Sequence, residues 1–270
     1  MRMKIMAAAV CALMTGVVTA ADTIECDGSK KLPTPGGFDK KYVGLFFDVF
    51  KTSPSNILAN ADQFVKHAPY LDGVAIGITA DVADSDGNIV TAKHSQIMHR
   101  SQRWTREEVK KHLPYLKEIA KKPNLTESML LFWMSPSGPN RINWDDDKGW
   151  ANYAENMANV AWLAKEAGLK GLMLDPEEYA AQGGAFAQYI HCHLDPSFRE
   201  TAKLARQRGR EVFSRVFMEF PDAVILSLWC FKKFDFWTQE GRQPYPLNNV
   251  DQSGELLHHF LNGMIDVMPP

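Results

Sequence analysis

The chain has 270 residues, 30 Lys and Arg against 32 Asp and Glu, a net charge of −2 and 45% hydrophobic residues. That balance offers no basic face for nucleic acid or an anionic membrane. The length allows one large domain with a substantial core.

Arg2 and Lys4 precede an apolar run, Ile5 to Val18, that is too short to span a bilayer. Val18-Thr19-Ala20 then offers small residues for cleavage. The sequence predicts a signal peptide over 1–20, cut after Ala20, with a secreted or periplasmic destination and no membrane contact after cleavage. Residues 21–41 are rich in Gly, Pro, Lys and Asp, an N-terminal leader without a core face. Residues 42–270 form the folded domain. Cys26, Cys192 and Cys230 survive cleavage; their odd count leaves a thiol over, so they define no disulfide framework.

From Tyr42 a rhythm begins. Tyr42–Phe50 is a continuous apolar run and reads as a buried strand. Asn56–Tyr70 carries helical spacing, with Ser53 or Ser55 as caps. Asp72–Ile78 is a second strand, Trp104–Lys121 a helix started by Thr105, and Met129–Met134 a third strand. A helix over Trp150–Ala167 stops at Gly168 and feeds the strand that starts at Gly171. Ser197–Met218 is helical, Ala223–Trp229 is a fifth strand, Gly254–Leu261 is a last helix, and Met264–Val267 opens a sixth strand. Doubly buried strands alternating with helices mean a parallel sheet with helical crossovers. No G-x-G-x-x-G follows the first strand, and acids and aromatics gather at strand ends. Both points favour a (β/α)₈ TIM-type barrel over an open doubly wound sheet. A closed barrel needs eight strands and six are counted, so the expectation is a barrel truncated after about six, incomplete at the C-terminus; the alternative is a smaller, irregular barrel or a miscounted sheet.

The carboxyl ends of barrel strands carry the active face. They supply Asp48, Thr79 with Asp81, Trp133 with Ser135, Asp175 with Glu177, Trp229 and Asp266. The run Gly171-Leu172-Met173-Leu174-Asp175-Pro176-Glu177-Glu178-Tyr179 is the most informative. Alternation along a strand would point Asp175 and Glu177 the same way, with α-carbons roughly 6.5 Å apart. Two carboxylates at that spacing let one raise the other's pKa and keep it protonated near neutrality. Tryptophans stack on pyranose faces, and paired acids handle a glycosidic oxygen. The same Asp-Pro-Glu-Glu run also suits the start of a helix: Asp as cap, Pro at the first position, Glu in the first turn.

Lys170–Glu177 resembles the fourth-strand signature of chitinase-like glycoside hydrolases, D-G-x-D-x-D-x-E. The glycine, the last aspartate and the glutamate match; Lys170 and Met173 stand where the first two aspartates would be, and Pro176 takes the aromatic position. The wider group of barrel hydrolases with D-x-E at the end of strand four is similar too. Asn143-Trp144-Asp145 and the Gly149-Trp150 helix start look like the approach to that strand. The resemblance implies Glu177 as general acid and Asp175 as its partner, orienting an acetamido group that attacks the anomeric carbon. Without such a group a second carboxylate is needed, from Asp48, Asp266 or beyond Pro270.

The expected activity is therefore glycoside hydrolysis, with Trp133, Trp229, Tyr179, Asp48 and Asp266 contacting carbohydrate. The alternative is a catalytically silent barrel that captures glycans. A metal-dependent hydrolase using Asp175, Glu177 and histidines is a third reading. Neither a cofactor nor a metal is expected. Asp84-Ser85-Asp86-Gly87-Asn88 lacks the twelfth-position acid of a calcium loop and reads as a hairpin turn. His191-Cys192-His193 is not a specific zinc spacing, and His258-His259 reads as surface. Asn124-Leu125-Thr126 is a glycosylation sequon. No G-x-S-x-G, phosphate loop or H-E-x-x-H occurs.

Overall fold

The computed structural model describes residues 41–44, 53–84, 86–134, 142–176, 198–228 and 256–270. Its frame is a curled sheet of five parallel strands flanked by helices. The strands are β1 (Val43–Gly44), β2 (Gly73–Ile76), β5 (Met129–Trp133), β6 (Gly171–Asp175) and β7 (Val224–Ser227), paired in that order. Each is added beside its predecessor in the chain, so the order never reverses. Between β2 and β5, the strands β3 (Thr79–Ala83) and β4 (Ile89–Lys93) form an antiparallel hairpin of their own.

The five parallel strands sit where the apolar runs predict. Their alternation divides the core in two. Val74, Ile76, Leu130, Phe132, Leu172 and Leu174 belong to the large cluster shared with the helices. Ala75, Met129, Leu131, Met173 and Leu226 form a separate small cluster, with Val43, Trp133 and Val224 packed against it. Gly171 opens β6 because the strands approach closely there: a Cβ would lie 1.9 Å from the Val224 carbonyl oxygen.

The helices are α1 (Pro54–Ala59), α2 (Ala61–His67), α3 (Arg106–Lys110), α4 (Leu113–Ala120), α5 (Asp147–Ala167), α6 (Phe198–Glu219) and α7 (Leu257–Asp266). Two predicted helices are broken. The 56–70 segment parts at Asn60, which caps α1 with its own side chain on the Asn56 carbonyl at 2.8 Å. The 104–121 segment parts before Pro114, which lacks an N–H. Ser53 and Thr105 cap their helices through their hydroxyls, as the spacing predicts. Gly168 ends α5 at φ 75°.

The predicted sixth strand is a correction. Met264–Asp266 is the last turn of α7 and Val267 is its cap. Leu257, Phe260, Leu261 and Met264 recur at helical spacing and are buried, so the apolar residues that suggested a strand serve a helix instead. That helix crosses α6 at Gly209 and Gly263. A Cβ on either would come within 2.0 Å of the Phe260 or 2.1 Å of the Arg206 carbonyl oxygen, respectively.

Candidate functional site

Trp133 and Asp175 close their strands and are direct partners in the β5–β6 register. Parity along each strand puts both side chains on the face of Met129, Leu131 and Met173, away from the helix-packed core. Backbone bonds continue past them: the Met134 N–H donates to the Asp175 carbonyl at 2.8 Å, and the Leu228 N–H to the Leu174 carbonyl at 2.9 Å. Asp175 is 2% exposed and Trp133 half-buried. A carboxylate in such surroundings, beside a partly open indole, is equipped to act on a neutral polar ligand.

A third side chain joins them. The β3–β4 hairpin rises from the end of β2, turns at Gly87 (φ 82°), and delivers the chain back to a single 3₁₀ turn, His94–Gln96. There the Lys93 N–H donates to the Gln96 side-chain oxygen at 3.0 Å. The His94 ring lies perpendicular to Trp133, with centroids 6.0 Å apart. Burial pushes its imidazole down to about 4, and the Lys93 charge acts in the same direction, so the ring is neutral at pH 7.

The segment after His94 is clamped by three asparagines on one face of α5. The Asn152 amide donates to the Gln102 carbonyl at 2.7 Å and the His99 carbonyl at 3.3 Å. Asn156 accepts from the Trp104 N–H at 2.8 Å and donates to the Gln102 carbonyl at 2.9 Å and the Ile97 carbonyl at 3.2 Å. Asn159 donates to the Trp104 carbonyl at 2.8 Å. Below the hairpin, His112 Nε2 lies 2.8 Å from the Thr79 carbonyl oxygen, and burial is the main cause lowering its pKa.

The other expected site residues divide. Asp48, Glu177, Tyr179 and Trp229 lie outside the described residues, as do Ser135, His191-Cys192-His193 and all the cysteines. Asp266 is not at a strand end. It closes α7 and is held by Arg206 at 2.6 and 2.7 Å and by Arg210 at 2.7 Å. These guanidiniums hold its carboxyl well below the usual carboxylate range. Asp81 lies within the hairpin, bonded to Lys111 and Thr91 at 2.7 Å each. Trp144 and Trp150 are not ligand-lining: they stack at 5.1 Å in the helix-side core against Phe260. Asp84 ties off its own turn, accepting from the Asp86 and Asn88 N–H groups, and those bonds lower its pKa.

His94 was missed because a lone histidine after a hairpin carries no motif. The usable signal was the hairpin itself, whose Asp86-Gly87 turn must return the chain toward the strand ends. Among the described residues no group of three or more His, Cys, Asp and Glu could hold a metal. No described helix is long and apolar enough to cross a membrane. No family model, curated protein or solved structure matches this chain.

Proposed function

We propose that the protein is an exported glycoside hydrolase on a (β/α)₈-type barrel, and that Asp175 and Trp133 form part of its substrate site. The observation that carries this reading is their direct pairing in register at the carboxyl edge of the sheet, on the face turned from the helices. A strand order without reversal supports a barrel over a doubly wound sheet. Export rests on the charged, apolar and small-residue succession of residues 1–20.

In this reading Glu177 protonates the departing glycosidic oxygen. Asp175 holds that proton in place and stabilises positive charge growing at the anomeric carbon. The Trp133 indole offers a flat apolar face to a pyranose. Tyr179, Trp229 and Asp48 extend the contact. Asp266, already occupied by two guanidiniums, has no part in it. By resemblance to chitinase-like enzymes, a substrate acetamido group supplies the nucleophile; a substrate without one requires another carboxylate.

Release of reducing ends from a glycan panel by the full chain tests the proposal, with Glu177→Gln and Asp175→Asn beside the parent. Each variant is expected to lose roughly 100-fold or more in kcat, the low end of general acid catalysis. Equal activity in all three would remove these residues from the chemistry.

One observation favours a second reading, a catalytically silent glycan binder. Met173 takes the position of a signature acid and sits in the apolar cluster, two residues before Asp175. Glycan binding without products from the parent would decide for that reading.

A further inference from the structure

We infer that His94 is a carbohydrate-contacting residue, its imidazole hydrogen-bonding hydroxyls at the rim of a sugar ring stacked on Trp133. This rests on the carbohydrate-site reading but not on hydrolysis. His94 is 2% exposed, and neither ring nitrogen has a hydrogen bond among the described residues. At the edge of a site, an imidazole whose nitrogens no described residue occupies can take its partner from outside the fold, donating from one nitrogen and accepting at the other. Asn156 and Asn159 of α5 hold the backbone behind His94 by their side-chain bonds to Ile97, Gln102 and Trp104.

The position has its own logic. A pyranose lying on an indole presents its hydroxyls at the ring periphery. An imidazole perpendicular to that indole, with centroids 6.0 Å away, stands where such hydroxyls emerge. In the neutral ring one nitrogen donates and the other accepts, which suits adjacent hydroxyls that can do either. An imidazolium could only donate, and burial together with Lys93 disfavours it.

The test is binding of chitotetraose and cellotetraose by calorimetry to the full chain carrying Glu177→Gln, so that turnover does not intrude. His94→Phe keeps a ring against Trp133 and removes both nitrogens; His94→Asn restores an amide near the Nδ1 position. The expected result is affinity about tenfold weaker for His94→Phe, largely recovered by His94→Asn, with the melting temperature of His94→Phe within a few degrees of the parent. Unchanged affinity in His94→Phe overturns the inference, as does a lowered melting temperature with unchanged affinity, which marks packing alone. If the parent binds but releases no reducing ends, the hydrolase reading falls and the His94 comparison still stands. If neither oligosaccharide binds, both fall.

Discussion

The two faces of the parallel sheet come from the same short strands, yet they are finished differently. On the helix side, Val74, Ile76, Leu130, Phe132, Leu172 and Leu174 merge into one core with α5, α6 and α7. On the other side a few residues, Ala75, Met129, Leu131, Met173 and Leu226, pack among themselves, and the row above them is Trp133 with Asp175. The first face is apolar to the ends of β2, β5 and β6, with Ser227 closing β7; the second changes to polar and aromatic at the carboxyl edge. Adjacent residues on one strand can thus serve stability and chemistry separately, because alternation keeps their surroundings apart.

The largest expected effect breaks the helix face. Phe132→Ala should cost about 3–5 kcal/mol in denaturant unfolding, since its neighbours are close-packed and cannot collapse into the cavity. Met173→Ala, on the small cluster, should cost about 2 kcal/mol. An equal or reversed order would mean that the two faces are not the unequal partners described here.

A second experiment sharpens the comparison at the edge. The His94 imidazole falls from an ordinary value near 6.5 to about 4 in the folded protein. A base with a depressed folded pKa takes up its proton more readily when unfolded. Its contribution is therefore present above pH 6.5 and lost as pH falls toward 4, a loss of up to about 3 kcal/mol. His112 shifts in the same direction, so the informative quantity is the difference between parent and His94→Phe. The parent's stability should fall more steeply between pH 6.5 and 4; parallel curves would show that His94 does not titrate with folding.

The smallest effect concerns the clamp that links the two regions. Asn156→Ala would strip partners from the buried Trp104 N–H and the Ile97 and Gln102 carbonyls, at a cost of about 2 kcal/mol by thermal or denaturant unfolding. It should also raise hydrogen exchange over residues 97–104 while leaving α6 and α7 protected. Uniform loss of protection would mean that the segment is not held locally.

Legibility followed the range of the forces involved. The β5 and β6 strands, the Thr105 cap, the Gly168 stop and the Asp86-Gly87 turn depend on residues a few positions apart, and all were readable. The Met264–Val267 strand was misread because four apolar or mixed residues satisfy either period. Only the buried seam with α6, where Gly209 meets Gly263, selects the helix. Trp144 and Trp150, read only as the approach to β6, are core side chains, since a tryptophan's type does not say what lies against it. Asp175 and Trp133 were found as strand-end residues, but their adjacency was not.

The sequence by itself determined five of the parallel strands and the segments that become helices apart from the last, where several of them stop, and that Trp133 and Asp175 close their strands. These follow from local periodicity, capping and turn geometry. Only the tertiary structure decided that Trp133 stands beside Asp175, that His94 returns to meet them, and that Asp266 is spent on two arginines. Register, hairpin docking and helix crossing are set by which distant surfaces exclude water together, and no local spacing encodes that choice.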